Sequence, residues 1–99
     1  MSTVRLNAKD FIDTDASVVQ SAASIAAEAS RLLATGDDVV ISVHGVRGVS
    51  SSFFNVILSA VAQVVRDHVN TGRFSVETET ATQKFIYQRS FDAFFPTKV

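Results

Sequence analysis

Three consecutive serines, Ser50, Ser51 and Ser52, are the residues of this chain whose position most suggests chemistry. An apolar run at residues 39–43 and a glycine-containing turn precede them, and the apolar residues 53–58 follow. This order predicts a strand that leads through a turn into a helix. Backbone N–H groups at a helix start lack partners within the helix, so a serine caps them and added negative charge is tolerated there. The position therefore suits a switch.

A histidine close to the serines raises the question of hydrolytic catalysis. The segment around His44 and the serines lacks the second glycine of a nucleophile elbow, and the sequence places no carboxylate to orient the imidazole. His68 has no companion at metal-ligand spacing, the chain has no cysteine, and Gly45 and Gly48 do not fit the phosphate-loop spacing. We therefore expect a protein that is not an enzyme and that uses neither a metal nor a cofactor.

The same residues also have simpler structural explanations. Capping accounts for one serine but not for three, which leaves both a structural and a functional hypothesis open. Arg47 suits a phosphate or an acidic partner residue, although a loop arginine is more often only solvated. One flank of the second helix, apolar throughout, is more often core than interface; it consists of Phe53, Val56, Ala60 and Val64.

Length and composition restrict the class of protein. The 99 residues suit a single domain over residues 1–99, and a 46% hydrophobic content with eight phenylalanines indicates a folded core. Nine basic and ten acidic residues give a net charge of −1 without a run of either sign, which argues against nucleic acid as a partner. The absence of cysteine and of a signal-like or membrane-spanning apolar segment favours a cytoplasmic protein with no membrane partner.

Hydrophobic periodicity predicts alternating strands and helices. Alternation at residues 4–9 predicts a strand, and helical spacing predicts a helix over residues 17–34 that is capped by residues 13–15 and ends near Gly36. The β-branched residues 39–43 predict a central strand that is covered on both faces. A narrow polar stripe predicts a helix over residues 52–69; the stripe consists of Asn55, Ser59, Gln63, Arg66 and Asn70.

The last third of the chain completes this pattern. Residues 74–79 alternate as expected of a strand with one polar face, and Thr80 with Gln83 forms the capping box of a third helix. The order β, α, β, α, β, α predicts an α/β fold in which about three helices pack on a small mixed sheet.

The segment of residues 39–58 carries a family resemblance. The run of residues 39–46, followed by residues 49–58 with their Ser-Ser-Phe stretch and Asn55, resembles the STAS domain of bacterial anti-sigma factor antagonists, and most closely its STAS-like branch. The elements on both sides agree with that domain in order and length. The resemblance implies a helix start whose serine is phosphorylated by a kinase of the histidine-kinase-like ATPase fold, and it places that serine at Ser52 with Ser51 beside it.

The sequence departs from the family pattern at three positions. Ser50 and Ser42 stand where the family commonly has aspartates. Ser50 can still cap the helix, but it supplies no carboxylate that would orient the acceptor hydroxyl or contact the kinase metal. Phe53 stands where a small glycine is common. The resemblance therefore supports the expected fold more strongly than it supports the expected phosphorylation cycle.

Three functional hypotheses follow. The first is a regulatory module that docks on a protein partner, an ATPase-type kinase or an anti-sigma factor, through the second helix and the loop before it; the docking residues are Arg47, Gly48, Phe53, Phe54 and Asn55. The second is a scaffold or assembly subunit that self-associates through the apolar second helix or an edge strand, with the serines as caps only. The third is a small-ligand binder that uses the helix start and Arg47 as an anion site.

Overall fold

The computed structural model describes residues 2–12, 18–68 and 70–95. The order of elements is the predicted one, with a short 3₁₀ turn added after the first strand. The elements are β1 (Thr3–Asn7), the 3₁₀ turn (Ala8–Phe11), α1 (Val18–Ala34), β2 (Asp38–Ser42), α2 (Ser51–Asp67), β3 (Phe74–Glu77) and α3 (Ala81–Phe94). The helix start predicted at Ser17 and the caps at residues 13–15 lie outside the described residues.

A three-stranded sheet forms the centre of the fold. Its order is β1-β2-β3, and both pairings are parallel, with Val4 opposite Val39 and Val39 opposite Phe74. β2 is central, as its β-branched sequence predicts. α1 and α2 each connect two parallel strands and pack against each other, while α3 packs against the flank of α2. The α/β class with three helices on a small sheet is thus confirmed, and the pairings of the described strands are all parallel where a mixed sheet was predicted.

The core lies between the sheet and this helical layer. α2 supplies half of its largest side chains because only a narrow stripe of that helix is polar, and the stripe residues predicted from Asn55 to Asn70 are all exposed. The largest fully buried side chains are Ile25, Leu33, Val39, Ile41, Val43, Phe53, Phe54, Ile57, Leu58 and Val61. The predicted apolar flank is divided: Phe53 is fully buried, and the others, half-buried, pack against the core.

The opposite face of the sheet is open to solvent, so the prediction that β2 is covered on both faces is wrong. Val40 is only half-buried there, because the helices that follow β1 and β2 lie on the same side. Across this face Arg5 of β1 donates two hydrogen bonds to the carboxylate of Glu77 in β3, at 2.8 and 2.5 Å. These hydrogen bonds, aided by the guanidinium charge, hold the pKa of the Glu77 carboxyl below its ordinary value.

Two glycines close the connection between α1 and the sheet. Gly36 has φ +91°, and the N–H groups of Gly36 and Asp37 donate to the carbonyls of Leu33 and Leu32, which is the Schellman ending that the glycine predicts. Gly72 lies so close to this turn that a Cβ atom would be 1.7 Å from the carbonyl oxygen of Asp37. The approach of β3 to β2 therefore requires glycine at position 72.

Candidate functional site

The start of α2 uses one of its three serines as a cap. Ser50 has the extended backbone of an N-cap residue, with φ −129° and ψ 173°, and its Oγ accepts a hydrogen bond from the N–H of Phe53 at 3.4 Å. Ser51 and Ser52 are the first two residues of the helix, and both are exposed. The helix therefore begins one residue before the predicted position, and two hydroxyls remain that do not cap it.

The turn before the serines takes its shape from two glycines. Gly45 and Gly48 have φ +78° and +77°, a region that side chains with a Cβ rarely adopt. The Gly45 N–H donates to the Glu79 carboxylate at 3.0 Å, so the turn is tied to the segment before α3. Arg47 and Gly48, which the sequence predicts as docking residues, are both exposed. His44 is exposed too, and its N–H donates to the buried Ser42 hydroxyl at 3.4 Å.

The two phenylalanines expected to contact a partner lie inside the molecule. Phe53 and Phe54 are 0% and 1% exposed, and their rings meet edge to face at 5.5 Å. Phe54 also contacts the ring of Tyr87 in α3, at 5.3 Å, and burial raises the pKa of the Tyr87 phenol to about 12. Phe53 and Phe54 therefore hold the start of α2 against the core and α3 rather than meeting a partner. Asn55, on the outer face, is exposed.

A surface groove of about 540 Å³ runs between the start of α2 and one face of α3. Ser50, Ser51 and Asn55 lie on its α2 wall, whereas Ser52 does not border it. Its α3 wall includes Phe85, which is 63% exposed, and Arg89, whose guanidinium carbon lies 5.9 Å from the Phe85 ring centre. We call this the α2–α3 groove; its lining residues are Val49, Ser50, Ser51, Asn55, Phe85, Ile86, Arg89, Ser90 and Ala93.

The charge in the α2–α3 groove is of one sign. Arg89 is the charged residue among its lining residues, which include no carboxylate. The positive end of the α2 dipole lies at Ser51 on the same wall. The groove therefore combines apolar lining residues with positive charge at Arg89 and at the start of α2, and its charge favours an acidic or phosphorylated group over a basic one.

Sequence reasoning missed the α3 half of this groove. The sequence does carry a signal, since Phe85, Ile86 and Arg89 are spaced so that they share one side of the third helix. Which helix that side would border could not be known before the packing of α3 on α2 was seen. The structure brings Ser51 together with these residues, while Arg47 and Gly48 lie in the turn outside the groove.

No metal centre is found among the described residues, since no three His, Cys, Asp or Glu side chains gather where they could hold an ion. His68 ends α2, where its Nδ1 lies 3.1 Å from the carbonyl oxygen of Val64. Within the described ranges no helix has the length and apolar character needed to cross a membrane. Comparison of the chain with protein-family models, curated proteins and solved structures gave no match.

Proposed function

We propose that this protein is a non-enzymatic regulatory module of the bacterial cytoplasm that docks on a protein partner through the α2–α3 groove and the turn before it. The observation that carries the proposal is that Ser51 borders the same groove as the exposed Phe85 and Arg89, while the fold uses only Ser50 as a cap. The resemblance of residues 39–58 to anti-sigma factor antagonists supports the same kind of activity.

The chemistry of the groove fits a segment of another protein. Aromatic and arginine side chains supply much of the binding energy at protein interfaces, and the groove presents Phe85 and Arg89 side by side. Ile86, Val49 and Ala93 add apolar lining, and the serines and Asn55 add hydrogen-bonding groups at the rim. A partner segment with apolar residues and at least one carboxylate would match both the lining and its charge.

Phosphorylation at the start of α2 would act as a switch on this surface. A phosphate adds about −1.5 to −2 charges. The N–H groups and dipole of α2 tolerate that charge, so the fold would survive while the groove rim changes sign and repels an acidic segment. The family resemblance favours Ser52 as the acceptor, and the groove geometry favours Ser51; both are exposed.

The partner class follows from the resemblance. A histidine-kinase-like ATPase that phosphorylates the serine, or an anti-sigma factor, is the protein we propose to bind here. Ser50 and Ser42, at the positions of the family's aspartates, have structural roles in this chain: Ser50 caps α2, and Ser42 accepts a hydrogen bond from the turn. A kinase acting on Ser51 or Ser52 would therefore have to supply its own carboxylate to orient the acceptor hydroxyl.

The experiment begins with capture of the partner from native cells, identification by mass spectrometry, and titration of the purified pair. Phe85→Ala should weaken binding at least about tenfold, since it removes the exposed aromatic from the groove. Ser51→Asp or Ser52→Asp should weaken binding by a similar factor, and the alanine variants should bind as the unmodified chain does.

The matched control is Ser59→Asp, which adds the same charge on the exposed stripe of α2 away from its start. Binding by this variant should be unchanged. Equal affinities of the alanine and aspartate variants at positions 51 and 52 would exclude a charge switch. Unchanged affinity of Phe85→Ala would exclude the groove as the docking surface.

A further inference from the structure

β3 has an edge that no strand of the described residues occupies. The sheet ends with β3, whose inner side pairs with β2. The carbonyls of Arg73 and Glu77 accept hydrogen bonds from the N–H groups of Val39 and Val43, at 2.8 and 3.1 Å. Because backbone groups along a strand alternate in direction, Phe74 and Val76 direct their N–H and C=O groups toward the open edge. Such an edge is a template for another strand.

A surface depression of about 230 Å³ lies beside this edge on the helical side of the sheet. Phe74 and Val76 of β3 and Tyr87 and Phe91 of α3 line it, and all four are half-buried. Gln88 also lines it, but its side-chain amide donates to Asp92 at 3.1 Å. An incoming strand would therefore meet outward-directed backbone groups of β3 with apolar side chains beside them.

The sequence of this edge is complementary to itself in the antiparallel direction. Residues 73–77 read Arg-Phe-Ser-Val-Glu, with a cation at one end, an anion at the other, an apolar residue inside each and a small residue at the centre. When a second copy is aligned antiparallel about Ser75, Arg73 lies opposite Glu77 of the second copy, and Phe74 lies opposite its Val76. Opposite charges and apolar residues facing each other across strands stabilise such a pair.

We propose that a second copy of this chain pairs antiparallel with β3 in the register centred on Ser75, and that the two sheets join into one of six strands. This dimer goes beyond the proposed docking function and uses a different surface. In this register Phe74 and Val76 of the two copies form hydrogen-bonded pairs, and Ser75 faces its own copy as a non-hydrogen-bonded pair. The direction of the backbone hydrogen bonds and the pairing of the side chains thus favour the same register.

Neighbouring registers lose this agreement. A shift by two residues in one direction places Ser75 opposite Glu77 of the second copy, and in the other direction it places Ser75 opposite Arg73; both Arg73–Glu77 pairs are then lost. The first shift puts Arg73 opposite Glu79 instead, but Glu79 lies beyond the end of β3 and its carboxylate already accepts a hydrogen bond from the N–H of Gly45. Glu77 already accepts hydrogen bonds from Arg5 at both oxygens. A carboxylate has about four lone-pair sites, so it can accept a second guanidinium from the other copy.

Sedimentation equilibrium and light scattering of the whole chain test the dimer. The unmodified protein should show a concentration-dependent doubling of mass. Arg73→Glu and Glu77→Arg should each weaken dimerisation at least about tenfold, because each places like charges opposite each other at two symmetric positions. An equimolar mixture of the two variants should dimerise again, since a heterodimer restores both opposite-charge pairs.

The matched control is Arg66→Glu on the exposed stripe of α2, which makes the same change of charge away from the edge and should leave the dimer intact. Circular dichroism checks that each variant is folded. A chain that stays monomeric at all concentrations, or variants that fail to recover the dimer on mixing, would overturn the proposal.

A crosslink tests the register without changing any charge. The chain has no cysteine, so Ser75→Cys introduces a single thiol at the proposed two-fold axis. Non-hydrogen-bonded pairs bring Cα atoms to about 4.5 Å, within the range that a disulfide spans, so mild oxidation should give a covalent dimer. Ser24→Cys, on the exposed face of α1, should stay monomeric under the same conditions. Failure of Ser75→Cys to crosslink faster than Ser24→Cys would exclude this register.

Discussion

The starts of α2 and α3 differ in the number of side-chain hydrogen bonds that cap them. At α3, Thr80 Oγ1 accepts from the N–H of Gln83 at 3.1 Å, and Gln83 Oε1 accepts from the N–H groups of Glu79 and Thr80 at 2.7 and 3.3 Å. The Gln83 amide also donates to the carbonyl of Val46 at 3.3 Å. At α2, one long bond to Ser50 provides the side-chain cap.

This difference shows which serine hydroxyls at the start of α2 are needed to cap the helix and which are not. One side-chain oxygen, that of Ser50, caps α2, so Ser51 and Ser52 are two more hydroxyls than the fold of α2 needs. The capping box of α3 has a second role, because Gln83 joins that helix to the turn that leads into α2. It thereby links the helix that forms one wall of the α2–α3 groove to the turn that precedes the other wall.

The largest effect in this comparison is expected from Gln83→Ala. Gln83 is only 8% exposed, and the substitution removes the capping box and leaves the buried Val46 carbonyl without its amide donor. The free energy of unfolding should fall by about 2–3 kcal/mol, measured by urea denaturation. Gln88→Ala, at an exposed position of the same helix, is the matched control and should cost about 0.5 kcal/mol or less. Equal losses in the two variants would contradict a special role for Gln83.

A smaller loss is expected from Ser50→Ala, which removes the cap of α2. The unfolding free energy should fall by about 0.5–1.5 kcal/mol, since the Phe53 N–H loses its side-chain acceptor. Ser50→Asp keeps an acceptor and should restore most of the stability. If thermal and urea denaturation show no difference between the alanine and aspartate variants, Ser50 does not act as the cap.

The smallest effect is expected from Ser51→Ala and Ser52→Ala. Both residues are exposed and neither caps the helix, so each variant should stay within about 0.5 kcal/mol of the unmodified chain. The same denaturation assay measures this. A loss of more than about 1 kcal/mol at either position would give that serine a structural role, and the comparison of the two helix starts would fail.

Local patterns in the sequence predicted the elements well because their causes are local. The alternation in β1 and β3, the polar stripe of α2 and the Thr80–Gln83 box each arise within one element, where residue spacing alone sets the hydrogen bonds and the faces. Gly36 ended α1 as predicted, for the same reason.

Which face of each element is buried, and which other element covers it, could be learned only from the tertiary structure. Phe53 and Phe54 were expected to meet a partner, but α3 covers Phe54 and the core encloses both rings. α2 as an apolar surface for self-association loses support in the same way, since its largest apolar side chains, Phe53, Phe54, Ile57 and Leu58, are buried and only Val65 is exposed among the large apolar residues of this helix; an edge strand remains for that purpose.

The sequence by itself determined where strands and helices form, which residues cap the last helix and which residue types could carry chemistry. Only the tertiary structure decided that both crossover helices lie on one face of the sheet, that α3 completes a groove with Ser51 and that β3 is an outer strand of the sheet formed by the described residues. The physical reason is that spacing along the chain fixes the two sides of an element, whereas burial depends on which distant segment packs against each side.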